Sequence, residues 1–119
     1  MNGGCKEEEF DRVGSPLYSP DGKSIAYWAQ DNEKTFMVRN GQRGKQCDAG
    51  SWRRPAWSPD GRTLAYVARR WPKELLMVDG QERGEFDEIR NLTFSPDGRK
   101  LAFGARVGRA IWWKVIDVR

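Results

Sequence analysis

Histidine is absent from this chain of 119 residues. That removes the commonest general base, the commonest transition-metal ligand and every Ser-His-Asp or Cys-His arrangement at once. Cysteine is nearly absent: Cys5 and Cys47 make neither a disulfide framework nor a four-ligand zinc site, and they suit a reducing compartment. Long apolar runs are missing, since no segment approaches the roughly 20 residues that span a bilayer and the opening MNGGCKEEEF holds no stretch fit for a signal peptide. Helical periodicity is missing as well. These gaps predict a protein that is not an enzyme, holds no metal or cofactor and does not enter a membrane. As given it reads as cytoplasmic, or periplasmic had a leader been removed.

What remains is rich in charge and aromatics. Lys and Arg number 21 against 17 Asp and Glu, a net charge of +4, and aromatic residues make up 12% of the chain. Signs alternate along the sequence, which with the aromatic content argues for a folded chain. The modest positive bias favours an anionic partner but falls short of a nucleic-acid signature.

The strongest signal is a repeat. Ser-Pro-Asp-Gly occurs at residues 19–22, 58–61 and 95–98, spaced 39 and 37 residues apart. An aromatic precedes each copy (Tyr18, Trp57, Phe94), and Ile25-Ala26-Tyr27, Leu64-Ala65-Tyr66 or Leu101-Ala102-Phe103 follows. Ser accepts from the backbone, Pro presets φ and Gly takes the left-handed angle, so each copy predicts a turn joining two antiparallel strands. A third strand is predicted where Phe36, Met37 and Val38 match Leu75, Leu76 and Met77 and the Trp112-Trp113 region. Asn40-Gly41 and Asp79-Gly80 supply the next hairpin turns. A short fourth strand follows, with Cys47 aligned to Phe86. Four short strands in roughly 40 residues is a propeller blade.

On these residues the chain resembles the TolB-like, WD-repeat-like propeller family, whose blades carry aromatic-Ser-Pro-Asp-Gly-x-x-Leu/Ile-Ala-Phe/Tyr. The resemblance covers nearly the whole chain. It implies an all-β fold of three four-stranded antiparallel blades, and functions ranging from periplasmic binding to gating of peptidases. The chain is expected to be one half-propeller domain over residues 1–119, with repeats near 8–46, 47–85 and 86–119.

The ends are offset. Phe10 stands nine residues ahead of Ser19, as Phe86 stands nine ahead of Ser95, so residues 9–13 read as a fourth strand without a blade. The third repeat stops after its third strand. Propellers typically close with 4 to 8 blades, so a head-to-tail homodimer is expected to make one six-bladed ring. Its interface is expected to use Phe10 and Val13 against Trp112, Trp113 and Val115 of the other copy. Burial of Phe10 and Val13 would contribute roughly 2 kcal/mol each. The alternative is a fragment of a longer propeller.

Propeller topology collects the loops between strands two and three, and those between blades, on one face. That face gathers Arg12, Trp52, Arg53, Arg54, Arg69, Arg70, Trp71, Lys73, Arg90, Arg106 and Arg109 against few acids, Asp31, Glu33 and Glu74. The expected role is a binding or scaffold module presenting this basic, aromatic-rimmed face to an acidic protein or other polyanion. A plain solubilising role for the arginines is the simpler alternative, with Trp52 and Trp71 packed over neighbouring blades. Two further alternatives are a sugar-binding or hydrolytic propeller with its site at the channel mouth, and nucleic-acid binding. Asp21, Asp60 and Asp97 are read as turn residues, Asp11, Asp48 and Asp87 as turn anchors or Arg partners, and Cys47 as a small core residue. Trp28, Trp57, Trp112 and Trp113 are assigned to packing between blades, with one of the last two exposed.

Overall fold

The structure, a computed structural model, describes residues 10–47 and 53–118. Those residues form twelve strands: β1 Arg12–Val13, β2 Leu17–Tyr18, β3 Ile25–Asp31, β4 Lys34–Arg39, β5 Gln42–Cys47, β6 Ala56–Trp57, β7 Leu64–Arg70, β8 Lys73–Val78, β9 Gln81–Phe86, β10 Glu88–Phe94, β11 Lys100–Val107 and β12 Ala110–Asp117. All pairings are antiparallel and build three sheets. The first holds β1 and β2 beside β3, then β4 and β5; the second runs β6-β7-β8-β9; the third runs β10-β11-β12. No helix among the described residues is long and apolar enough to cross a membrane.

Each Ser-Pro-Asp-Gly turn is built the same way. The serine hydroxyl donates to the aspartate two residues on (Ser58 to Asp60, 2.6 Å; Ser95 to Asp97, 2.7 Å) and accepts from the backbone N–H five residues on (Thr63, 3.0 Å; Lys100, 3.0 Å). The aspartate in turn accepts from a second backbone N–H, Lys23 at 3.0 Å, Arg62 at 3.1 Å and Arg99 at 3.0 Å. Gly61 takes φ +73°, a conformation strained for any side chain, and an added Cβ would stand 3.1 Å from the Asp21 carboxylate, which would have to shift by a few tenths of an ångström. At the third-to-fourth strand hairpins, Asn40 and Asp79 have φ of 50°, and each side-chain oxygen accepts from the first N–H of strand two, Ile25 and Leu64, at 2.9 Å. This closes the turn onto the sheet.

The sheets stack face to face through two apolar layers. Ala26, Trp28 and Met37 of the first sheet meet Leu64, Tyr66, Ala68, Leu75 and Met77 of the second. Ala65, Val67, Leu76 and Val78 of the second meet Ile89, Leu101, Phe103 and Ala105 of the third. The middle sheet is thus buried on both sides, as the near-continuous apolar runs of β7 and β8 require. Polar links lock the first layer: Arg39 reaches Asp79 at 2.7 Å and the Arg62 carbonyl at 2.8 Å while covering the Trp57 ring, and the Trp57 indole donates to the Leu17 carbonyl at 3.0 Å.

Two expectations need correction. Arg12 and Val13 are not part of a spare strand, because they pair with Gln30 and Ala29 of β3. They are the first half of strand one, matching Glu88 and Ile89, which pair with Arg106 and Ala105. Only Phe10 keeps the fourth-strand position, packed edge-on against Tyr27 and Phe36 as Phe86 packs on Phe103; Glu9 lies outside the described residues. Secondly, Trp112 and Trp113 are both exposed, whereas Trp28 and Trp57 pack between sheets as expected. Among the described residues β12 is the edge strand of the third sheet, and all of its residues but Ile116 are exposed.

Candidate functional site

The loops at one end of the sheets form the candidate binding face. Asn32-Glu33, Trp71-Pro72 and Gly108-Arg109 are the two-residue connections between strands two and three, and the strand-four to strand-one joints lie beside them. Asp11 and Asp87 stand at those joints and anchor the neighbouring turns. The Asp11 carboxylate accepts from the Asn32 N–H at 2.9 Å and Asp87 from the Gly108 N–H at 2.6 Å. Asp48 and Trp52, the counterpart residues of the middle joint, lie outside the described residues.

Most of the predicted arginines on this face are already paired. Glu74 is buried, and its carboxylate receives Arg53 at 2.8 Å, Arg69 at 3.2 Å and the backbone N–H of Ile89 at 2.8 Å. Arg53 also donates to the Ile89 carbonyl, and its own carbonyl accepts from the Trp28 indole. One residue therefore ties all three sheets together. Arg70 lies on Glu85 at 2.9 Å and Glu82 at 3.3 Å. Arg106 lies on Glu88 at 3.3 Å and also donates to the Gly108 carbonyl at 3.0 Å. The patch is consequently far less basic than its composition implies, because Glu82, Glu85, Asp87 and Glu88 reach it from neighbouring strands. The Lys73 ammonium bonds Asp87 as well. The Gly108 N–H first, and then Lys73, hold the Asp87 carboxyl below its ordinary range, and Arg90 and Arg106 do the same for Glu88.

Two arginines differ. Arg54 and Arg109 are exposed and make no side-chain hydrogen bond or ion pair to the other described residues. Trp71 is 74% exposed, with the Arg69 guanidinium 6.0 Å from its ring. Arg54 rims a cleft of about 360 Å³ between the inner strands of the second and third sheets, with Val67 and Ile89 in its floor and Arg53, Arg90 and Asn91 on its edge. Arg90 is paired with Glu88 at 2.6 Å but its side chain remains 68% exposed. The arrangement can receive a carboxylate or phosphate through Arg54, flanked by an apolar floor. Composition pointed to Arg54 and Arg109; Arg90 and the cleft were legible only as another charge on the face. Among the described residues no cluster of three acidic or sulfur ligands could hold a metal ion.

The five residues expected at an interface between copies fall in two places. Phe10 and Val13 lie on the outward side of the first sheet, and Trp113 and Val115 on the outward side of the third. Trp112 is turned the other way by strand alternation, on the side where Ile116 packs into the core between the second and third sheets.

No family model matches the sequence, and no curated protein matches it significantly. Solved structures share the fold. TolB from Acinetobacter baumannii is similar with a TM-score of 0.58 and 20% identity, over 91% of this chain and 30% of that one. The β-propeller domain of the trilobed protease from Pyrococcus furiosus, described as having an open velcro topology, is similar with a TM-score of 0.64 and 21% identity, over 92% of this chain and 40% of that one. The chain thus spans well under half of either structure, and its fold is that of TolB-like propeller blades.

Proposed function

We propose that the chain is a non-catalytic binding or scaffold module that uses the loop-end face, centred on the cleft rimmed by Arg54, to hold an acidic protein segment or other polyanion. The supporting observation is Arg54 itself, an exposed guanidinium that makes no ion pair to the other described residues, at the mouth of a cleft with an apolar floor. Arg109 and Trp71 extend the same face. The other partner is a second copy of the chain, so that two sets of three blades make a six-bladed ring and double the face about its axis.

Fluorescence anisotropy with labelled poly-glutamate and with heparin tests the reading. Arg54→Ser combined with Arg109→Ser is expected to weaken binding about tenfold, the value of a charged hydrogen bond or two. Arg70→Ser, whose charge is already taken by Glu82 and Glu85, is expected to leave binding unchanged. Equal losses for both variants would mean that overall charge, not this cleft, governs binding.

A further inference from the structure

The outward faces of the first and third sheets carry five of the large exposed apolar side chains in the molecule. Val13 and Tyr18 lie on the first, Ile111, Trp113 and Val115 on the third, and all are between 61 and 75% exposed. Elsewhere in the repeat the same columns are covered. Thr35 and Met37, and Glu74, Leu76 and Val78, fill the places of the third-sheet residues and are buried against the next sheet. Ile89 and Phe94 fill the places of Val13 and Tyr18; Ile89 is buried against the preceding sheet and Phe94 packs partly buried on the same core.

Resting on the self-association proposed above, we infer that a second copy docks its first sheet on this third sheet in the register the chain uses between its own sheets. Ile111, Trp113 and Val115 of one protomer meet the partner's Val13, Tyr27 and Tyr18. Bulk and charge in these columns fit that occupant. Paired across strands two and three stand Trp28 with Met37, Val67 with Leu76, and Gly104 with Trp113, one large residue offsetting a smaller one each time. Gly104 opens a cleft of about 260 Å³ beside Trp113. That cleft lies where the partner's Tyr27 arrives, as Tyr66 arrives 5.5 Å from Trp28 at the first internal seam. The next column is matched too. Arg39 meets Asp79 at the first seam, Val78 and Ile116 share one core at the second, and Val115 faces the partner's uncharged Asn40 at the closing one. No unpaired charge is buried in that column, and Phe10 already occupies the place on the first sheet that Phe86 takes on the third.

Sedimentation equilibrium on the full chain tests this with a head variant, Val13→Lys with Tyr18→Lys, and a tail variant, Ile111→Lys with Val115→Lys. These residues are exposed in the single chain, so folding is expected to survive; Ser in place of Lys serves if circular dichroism shows otherwise. Each variant alone is expected to raise the dimer dissociation constant at least about a hundredfold, since two seams carry every change and each loses roughly tenfold. An equimolar mixture of the Ser variants leaves one seam intact and gathers in the other two changes that remove the same contacts, so it is expected to dimerise more tightly than either variant. Trp112→Ala, on the other face of β12, is expected to stay within about threefold of wild type. A monomeric wild-type chain would refute the self-association itself and leave these faces to another occupant, such as further blades. A dimeric wild type that the tail variant dissociates and the head variant does not would refute only the register, pointing to tail-to-tail docking. Failure of the mixture of Ser variants to outperform its components would also refute it.

Discussion

Replacing Glu74 should loosen the junction of all three sheets. Its side chain is 4% exposed and holds Arg53, Arg69 and the Ile89 N–H. In Glu74→Ala the buried N–H of Ile89 loses its acceptor, which costs about 1–3 kcal/mol. The two guanidinium pairs add less, about 0.5 kcal/mol each, because the arginine side chains are 40 and 37% exposed and water screens them. The expected total is about 3 kcal/mol, or roughly 10 °C in Tm for a chain of this length. Glu74→Gln keeps an acceptor for Ile89 and gives up only the charge, so about 1 kcal/mol is expected. Thermal unfolding followed by circular dichroism, at one protein concentration so that self-association weighs equally, reads both values. Hydrogen exchange at the Ile89 amide should accelerate in the Ala variant and much less in the Gln variant. A loss under 0.5 kcal/mol for Ala, or equal losses for the two variants, would refute the reasoning.

Further outcomes follow from the turns and the titrating groups. Ser58→Ala removes a buried hydroxyl that both donates and accepts, and is expected to cost about 1–2 kcal/mol in urea unfolding, with Ser95→Ala, in the more exposed copy, costing less. The carboxyls of Asp21 and Asp97 are held below their usual range, first by the serine hydroxyl and then by a backbone N–H. Their contribution is therefore complete above the unfolded value near 3.8 and lost as pH falls through the lower folded value, so stability should stay flat in mild acid and drop below about pH 4. Asp21→Asn with Asp97→Asn should flatten that drop. Burial pushes the Tyr66 phenol up to about 12, so stability should also fall as pH rises past 10, where only the unfolded chain ionises it. Tyr66→Phe should remove that alkaline limb.

The blades were legible because their turns are local. Residues 19–22, 58–61 and 95–98 each complete their hydrogen bonds within five residues, so spacing alone carried the strands and their order. The first strand was misread for a physical reason: Phe10 makes the contacts of a preceding blade while Arg12 and Val13 pair inside their own, and the switch falls within two residues. The charge balance of the candidate face was hidden by reach. Glu74 neutralises Arg53 from 21 residues away in the chain, and Glu82 and Glu85 meet Arg70 from 12 and 15 residues away. Such pairings depend on the stacking of sheets, which a list of charges does not contain. A signal for Glu74 was nevertheless present, as a carboxylate in a strand column that holds Thr35 and Ile111 in the other repeats.

The central claim is that the chain is half of a ring and completes itself with a second copy. Sedimentation equilibrium of the wild-type protein from about 1 to 100 µM, the range in which specific protein pairs commonly assemble, tests it most directly. The account predicts a mass converging on twice 13.7 kDa and no higher as concentration rises. A mass that stays at 13.7 kDa throughout, or climbs without limit, would contradict it.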